Sequence, residues 1–217
     1  MTATADSFND NSASPQALGL EMLTELHKSR SECNYTLVRD LINRGASPDV
    51  FNDRDQWPLQ ACICYGHNEI GLLLIEKGAD PDLRSPDSLN SPLFLAAHNA
   101  RVEIVKALLD RGAKLDTPGD QGDTALEEAR RLQADNEYAI KEYPDLCDRI
   151  KPDPRVTVVK YKTIQTLIQE AADNRAAIEV AAATAKAQRQ QADEDWHNEG
   201  LPLRQPITVS RRTIKLK

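Results

Sequence analysis

A repeat with a period of 33 to 34 residues restricts the possible folds of this chain more than any other feature. Two motifs recur at this period, out of phase with each other, which is the pattern of a repeat architecture. The first motif, Gly-Ala-x-x-Asp, begins at Gly45, Gly78 and Gly112. The second motif has leucine at its third position and begins at Trp57, Ser91 and Thr124. A unit of this length accommodates two short helices, so we expect a stack of similar units rather than a single globular core.

Each unit is predicted to form two helices, the second of which ends at the glycine. Pro58 and Pro92 suit the first turn of a helix, where a missing amide hydrogen has no helical partner. The repeated glycines suit the left-handed residue that ends a helix. Apolar residues precede these glycines at helical spacing. They are Val38, Leu41, Ile42, Ile70, Leu73, Leu74, Ile104, Val105, Leu108 and Leu109. One helix pair cannot bury this face alone, so neighbouring units must stack.

These motifs resemble the ankyrin-repeat family, whose repeat combines Thr-Pro-Leu-His, Ala-Ala, Gly-His and Leu-Leu-x-x-Gly-Ala-Asp. The best copy runs from Asp55 to Asp82 and includes the Gly-His pair. The resemblance covers about residues 18–135. It implies an all-α ankyrin-repeat solenoid of helix-turn-helix units, about four in number, with a long C-terminal helix and an extended tail. Trp57 and Ser91 replace the threonine of the family pattern, which changes local hydrogen bonding and leaves the fold prediction intact.

The chain is predicted to divide into five segments. Residues 1–16 are polar and predicted to be disordered. Residues 17–135 carry the repeats, the first of which is predicted to be a cap. Residues 136–159 form an insertion that contains three prolines, and we expect a long loop with one short helix at most. A long helix over residues 160–197 completes the last repeat, and residues 198–217 form a basic tail.

The long helix is predicted from the interruption of the fourth repeat. Its second helix is expected 13 residues after Thr124, but the matching apolar pattern resumes only at Thr163, after an insertion of 26 residues. No glycine or proline follows until Gly200, so the helix is expected to run past its repeat. Steps of four and three residues from Ile164 to Trp196 form a weak coiled-coil seam that contains two arginines. This seam could pack on a partner, on the repeats, or on a second copy of the chain.

Composition restricts the class of function. Asp and Glu number 34 against 27 Lys and Arg, and the net charge of −7 argues against nucleic-acid binding by the whole surface. No run of about 18 apolar residues is long enough to span a membrane. The polar N-terminal residues do not form a secretory signal. Four cysteines without regular spacing do not make a disulfide framework, so we expect free thiols and a cytoplasmic protein.

No arrangement of catalytic or metal-binding residues is recognisable in the sequence. The four histidines and four cysteines lack the spacing of a metal site, and no nucleophile motif or phosphate-binding glycine loop occurs. His67 is expected to satisfy main-chain groups at a turn, and Cys62 and Cys64 are expected to be core residues. The resemblance assigns Asp80 and Asp82 to turns between repeats. We therefore predict a non-enzymatic protein with no cofactor and no metal.

The resemblance places partner recognition in a concave groove, formed by the turn tips and the exposed face of each first helix. Carried over by position, the candidate contact residues are Asp53, Arg54, Gln56, Trp57, Tyr65, Asp87, Ser88, Asn90, His98, Asn99, Asp120, Gln121, Asp123 and Arg131. Arg54, Trp57 and Tyr65 rank first, because arginine and aromatic residues carry much of the energy of protein interfaces. The alternative for Trp57 is local packing against the neighbouring turn. For the scattered aspartates and serines, the alternative is a solvated turn.

The last residues form a separate basic segment. Its cations are Arg204, Arg211, Arg212, Lys215 and Lys217, and no acidic residue accompanies them. Apolar residues alternate with polar ones, as in a strand that pairs with an exposed edge. The tail could lie on the acidic repeats, contact a partner or bind an anionic surface, or it could be disordered. The absence of aromatic residues argues against specific nucleic-acid recognition.

Protein binding is the predicted function. The chain would act as an adaptor, chaperone or inhibitor, for example an immunity protein, through the groove and the C-terminal extension. Its partner would be another protein, such as an enzyme, a toxin or a secreted effector, and we expect no specific nucleic-acid partner and no membrane span. One alternative is a structural protein that self-associates through the long helix. Another is an exported effector that binds host proteins.

Overall fold

The computed structural model describes residues 13–85, 88–143 and 152–198, which form eight α-helices and no β-strand. The helices are α1 (Pro15–Leu26), α2 (Tyr35–Asn43), α3 (Pro58–Tyr65), α4 (Asn68–Glu76), α5 (Pro92–His98), α6 (Val102–Asp110), α7 (Ala125–Glu142) and α8 (Pro154–Asn198). The chain forms two compact units, one that extends to Ala172 and one that begins at Asp173. Among the described residues, no helix is long and apolar enough to cross a membrane.

The helices of the first unit form two layers. Helices α1, α3, α5 and α7 pack side by side, and α2, α4 and α6 each pack against the helix that precedes them and against one another. The start of α8 takes the corresponding place beside α7, where Gln165 donates to the carbonyl of Ala129 at 3.3 Å and to the side chain of Gln133 at 2.7 Å. One continuous apolar core runs through both layers, from Leu18 in α1 to Ile168 in α8. The predicted all-α solenoid of helix pairs is confirmed.

The repeated glycines end the second helix of each pair, as predicted. Gly45, Gly78 and Gly112 have φ values of 88°, 96° and 84°, in the left-handed region that favours glycine. The amide of the alanine after each glycine donates to the carbonyl five residues earlier, for example Ala79 to Leu74 at 2.9 Å. This is the Schellman arrangement, which satisfies carbonyl groups that would otherwise lack partners at the helix end.

In each of the last three repeats, one side chain donates a hydrogen bond to main-chain carbonyls at the end of the first helix of the preceding repeat. This side chain is that of His67 before α4, Arg101 before α6 and Tyr161 in α8. The accepting carbonyls are those of Leu26 and Lys28 for His67 (both 3.1 Å), of Ile63 for Arg101 (3.0 Å), and of His98 for Tyr161 (2.9 Å). The last carbonyls of a helix have no partner within it, so three chemically different side chains perform one structural task. The role predicted for His67 is confirmed.

The insertion in the last repeat differs from the prediction. Helix α7 continues to Glu142 and α8 begins at Pro154, so both ends of the segment expected to be a loop are helical. No glycine or proline interrupts residues 125–142, and their alanine, glutamate, arginine and leucine residues favour a helix until Pro144. The middle of the insertion, residues 144–151, lies outside the described residues.

The register of α8 also differs from the alignment by one residue. Ile164 and Ile168 lie 60 residues after Ile104 and Leu108 and are buried like them, whereas Thr163 is exposed. The insertion is therefore one residue longer than the alignment at Thr163 indicated. The sequence alignment matched Ala171 to Asp173 with the Gly-Ala-Asp motif, and this placed Thr163 at a core position. Helix α8 continues through these residues, so they do not fix the register.

The first repeat begins earlier than predicted. Helix α1 begins at Pro15, with the Ser14 hydroxyl accepting from the amide of Ala17 at 3.2 Å, so residues 15 and 16 belong to the first repeat. The rest of the predicted disordered segment, residues 1–12, lies outside the described residues, and so does the tail from residue 199 onward. In the second unit the described residues are helical to Asn198. Their described side chains are exposed except for Arg175, which is half-buried.

Candidate protein-binding groove

The face formed by α1, α3, α5, α7 and the loops before them, here called the groove face, carries two depressions. The α1–α3 depression has a volume of about 530 Å³ and is lined by Thr24, His27, Asn52, Asp53, Arg54, Gln56 and Tyr65. The α5–α7 depression has a volume of about 190 Å³ and is lined by Asn90, Phe94, Leu95, His98, Asp120, Gln121, Glu128 and Arg131. Nine of the fourteen candidate contact residues are thereby brought together in two places.

Asn52 shapes the loop of the α1–α3 depression. Its side-chain oxygen accepts from the amides of Arg54 at 2.9 Å and Gln56 at 3.0 Å, and its amide nitrogen donates to the Gln56 side chain at 3.3 Å. This loop leaves Asp53 and Arg54 exposed. Within the described part of the chain, the carboxylate of Asp53 and the guanidinium of Arg54 have neither a hydrogen bond nor an ion pair. Both charges are therefore available to a partner.

Tyr65 lies in the same depression on a fixed support. Its ring is edge-on to His27, with centroids 5.7 Å apart, and stacks on His67 at 6.5 Å. His67 is held in turn by Tyr35, whose hydroxyl lies 2.8 Å from Nδ1, and by the carbonyls at the end of α1. Tyr65 nevertheless remains 45% exposed. A large exposed ring on an ordered support loses little conformational freedom when it is covered, which is typical of an interface anchor.

A buried carboxylate organises the α5–α7 depression. The side chain of Glu128 is only 4% exposed. It accepts from His98 Nδ1 at 2.7 Å and from Nε and Nη2 of Arg131 at 2.9 and 2.7 Å. Burial raises the pKa of Glu128, but the hydrogen bonds from His98 and Arg131 outweigh that effect and hold the pKa below its usual value. Glu128 is therefore an ionised anchor for two groove side chains.

Some candidate contact residues join neighbouring loops instead. Asp120 accepts from the amide of Leu89 at 2.7 Å and from the Asn90 side chain at 2.6 Å, and its own amide donates to Asn90 Oδ1 at 3.1 Å. Ser88 also donates to Asp120, at 3.4 Å. The carboxylate of Asp82 similarly accepts from the amide of Lys114 at 2.8 Å. The turn role assigned to such aspartates is confirmed.

Trp57 corrects the ranking of contact residues. It is fully buried, and its ring packs edge-on against Phe51 with centroids 5.9 Å apart, so it cannot contact a partner. Local packing, the alternative weighed from the sequence, is what the structure contains. Asn99 has a structural contact too, since its side chain donates to the carbonyl of Leu95 at 2.9 Å and closes the end of α5.

The remaining candidates divide by position. Asp123 is half-buried, and its carbonyl accepts from the amide of Gly119 at 2.9 Å. Asp87 and the tail cations lie outside the described residues. The candidates that are exposed and lie in a depression are Asp53, Arg54, Tyr65, His98, Asp120, Gln121 and Arg131. Asp120 is the one of these that also binds the neighbouring loop.

Glu128 is the groove residue that sequence analysis missed. It occupies the position of Leu95 and Ala61 in the two preceding repeats. The signal was present, because an acidic residue in an otherwise apolar register must be paired when it is buried. Phe94 and His27 were missed for the opposite reason, since their residue types fit a core or a turn equally well.

The described cysteines and acidic residues do not combine into a further site. Cys33 and Cys62 are buried, Cys64 is exposed, and all three are free thiols. Burial raises the pKa of the Cys62 and Cys64 thiols, which lowers their reactivity at neutral pH. In the described ranges, no group of three or more histidine, cysteine or acidic side chains could hold a metal ion.

Comparisons with known proteins agree with this architecture. A family model described as "Ankyrin repeats (many copies)" matches residues 59–109. A tyrosine-protein kinase of Hydra vulgaris is 34% identical over 142 residues, which are 65% of this chain and 18% of the kinase. An ankyrin repeat-containing protein of Schizosaccharomyces pombe is 25% identical over 150 residues, 65% of this chain and 70% of that protein. The human ankyrin repeat and SOCS box protein 16 is 29% identical over 104 residues, 48% of this chain and 23% of that protein.

The stacked helix pairs and the groove face define a helical-repeat module for protein–protein interaction. The family match over residues 59–109 and the relatives that carry ankyrin repeats support an ankyrin-repeat protein. It spans less than a quarter of the length of the kinase and of the human relative.

Proposed function

We propose that this chain binds a partner protein on the groove face and works as a non-enzymatic adaptor, chaperone or inhibitor. The observation that carries the proposal is that Tyr65 and Arg54 both line the α1–α3 depression. Tyr65 is ordered by His27 and His67 and yet half-exposed, and the guanidinium of Arg54 beside it has no partner among the described residues. Tyrosine and arginine are enriched among the residues that dominate binding energy.

The lowered pKa of Glu128 favours a structural role for this carboxylate over a catalytic one. A general acid or base works best when its pKa lies near the operating pH. The pKa of Glu128 is shifted in the opposite direction, below its usual value, by His98 and Arg131. Glu128 therefore stays ionised at neutral pH and orders the depression instead of exchanging a proton.

Self-association through α8 is a second candidate, and one observation favours it. In the second unit, Ile178 belongs to the predicted seam and is 69% exposed, so its apolar side chain is accessible to a second copy of the chain. Ile164 and Ile168, the first residues of the predicted seam, are buried in the core of the repeats and are not available for it. Any contact between copies would therefore use the helix beyond Ala171.

Site-specific photo-crosslinking in the native cell tests the proposed function. A photoreactive amino acid is placed at Asp53 or Gln121 on the groove face, and at Glu103, an exposed residue of α6, as the control. We expect the same crosslinked protein from both groove positions and none from Glu103. Crosslinks confined to Glu103 would contradict groove binding. A further probe at Ile178 tests self-association, and crosslinks found only there, and only to a second copy of the chain, would also contradict groove binding.

A further inference from the structure

Glu128, His98 and Arg131 in the α5–α7 depression already satisfy one another. Glu128 receives four hydrogen-bond contacts from His98 and Arg131, and a carboxylate offers about four acceptor sites. Arg131 also pairs with Asp135 at 3.3 Å. An acidic group that entered this depression would lose hydration and meet no free cation, because Arg131 is already bound to Glu128 and Asp135. The depression is therefore unfavourable for an acidic side chain.

The floor of this depression is apolar and preformed. It consists of Phe94 and the half-buried Leu95. The main chain at Gly119 lies directly on the Phe94 ring, since a Cβ there would come within 2.8 Å of it. The ring of His98 stacks on Phe94 with an interplanar angle of 13°. The volume of about 190 Å³ suits one leucine or phenylalanine side chain, because an apolar cavity of about 150 Å³ binds benzene.

The α1–α3 depression has the opposite chemistry. Among the described residues, three side-chain hydrogen-bond donors around it have no acceptor: the guanidinium of Arg54, the side-chain amide nitrogen of Gln56 and the hydroxyl of Tyr65. The neighbouring Asp53 forms no ion pair with Arg54 in that part of the chain. An arginine fork binds a carboxylate through two parallel hydrogen bonds, so a carboxylate is the group that these donors fit best.

We propose that the partner contributes one segment with an apolar side chain in the α5–α7 depression and a carboxylate on Arg54. This inference rests on the proposed function and specifies the chemistry of its partner. The two depressions are separated by two helix spacings, or about 20 Å. That distance corresponds to roughly 13 residues of a partner helix or roughly 6 residues of an extended segment.

Selection from a displayed library of random peptides, each long enough to span about 20 Å, tests the inference directly. The probe is the library itself, selected on the full chain. We expect enriched peptides to share one apolar residue and one acidic residue at a fixed spacing. Replacing the apolar residue of a selected peptide by Asp or by Lys should each weaken binding about tenfold or more, since a filled anchor pocket dominates binding energy.

Variants of the chain assign each half of the peptide to its depression. Leu95→Asp should weaken binding about tenfold or more. Leu109 is a half-buried leucine of α6, and the control Leu109→Asp should leave binding unchanged. Arg54→Glu should weaken binding, and a peptide with Lys in place of its acidic residue should recover it. Arg39→Glu on α2 is the matched control for charge and should leave binding unchanged.

The outcomes separate this inference from the proposed function. Peptides that need Tyr65 but share no apolar and acidic pair would overturn the inference and leave groove binding intact. Peptides that respond to Arg39→Glu and to neither Tyr65→Ala nor Leu95→Asp would overturn both. A library that yields no binder dependent on Leu95 or Arg54 also overturns the inference.

Discussion

Tyr161 donates its hydroxyl to the main-chain carbonyl of His98 across 2.9 Å, and so joins α8 to the end of α5. The two residues are far apart in the sequence and are brought together only when the last repeat closes. Arg101 and His67 make the equivalent contact in the preceding repeats. This contact between a second helix and the preceding first helix therefore recurs along the array, although the residue that makes it changes each time.

Tyr161→Phe should destabilise the chain by about 1 kcal/mol, because it leaves the His98 carbonyl without its donor while keeping the buried ring. The free energy of unfolding in urea measures the effect. Tyr138→Phe removes a hydroxyl from a residue that is 62% exposed and serves as the control. Equal effects of the two substitutions would contradict the role assigned to Tyr161.

Glu128→Gln should flatten the dependence of stability on pH at the acidic end. The pKa of Glu128 in the folded state lies below its ordinary value of 4.5. The ionised group therefore stabilises the fold above the ordinary pKa, and this contribution is lost as the pH falls through the lower folded-state pKa. The free energy of unfolding in urea, measured from pH 7 down to acidic pH, should fall more steeply for the wild type than for Glu128→Gln. The control Glu103→Gln should behave like the wild type. Parallel pH profiles for wild type and Glu128→Gln would show that His98 and Arg131 do not stabilise the charge.

Gly78→Ala should destabilise by about 1 kcal/mol through backbone strain alone. The φ of Gly78 is 96°, and a Cβ at this position would meet nothing within 4 Å, so steric overlap is not the reason. Gly78→Asn should be tolerated better, since asparagine adopts the left-handed conformation more readily than alanine. Thermal unfolding of both variants checks the order, and a larger loss for asparagine would refute this explanation.

Asn90→Ala and Asp120→Ala should be coupled by about 1 kcal/mol in a double-mutant cycle, because the Asn90 side chain donates to the Asp120 carboxylate across adjacent loops. Urea unfolding of the two single variants and the double variant gives the coupling energy. Asp53→Ala combined with Asp120→Ala should be additive, since the described contacts do not link these two loops. Additive effects for Asn90 and Asp120 would mean that the loop contact contributes nothing measurable.

The repeats could be predicted from sequence because each local signal agreed with the others. The glycine caps, the prolines at first turns and the apolar spacing all indicated the same helix boundaries, as at Pro58 and Gly78. The wrong predictions fall in the last repeat, where these signals no longer agreed. After Thr124 no glycine marked the end of a helix, so neither the length of α7 nor the one-residue shift at Thr163 could be read.

The groove was harder to predict because exposure is decided by tertiary packing. Trp57 and Tyr65 were both aromatic residues near turns, and only the packing of Phe51 against Trp57 and of His67 against Tyr65 separates a buried ring from an accessible one. Position in the repeat correctly grouped most lining residues. It could not show which of them, such as Asp120, were already bound to a neighbouring loop.

The insertion between α7 and α8 has a consequence for how the array opens. In the second and third repeats the two helices follow each other closely, so each pair can reassemble from neighbouring residues. In the last repeat, Tyr161, Ile164 and Ile168 must return across the long segment that follows Glu142, which raises the entropy lost on closure. The main helix contacts join neighbours only, so this repeat can open without disturbing α1 to α4. Amide hydrogens of α8 are accordingly expected to exchange first, and those of α3 and α4 last.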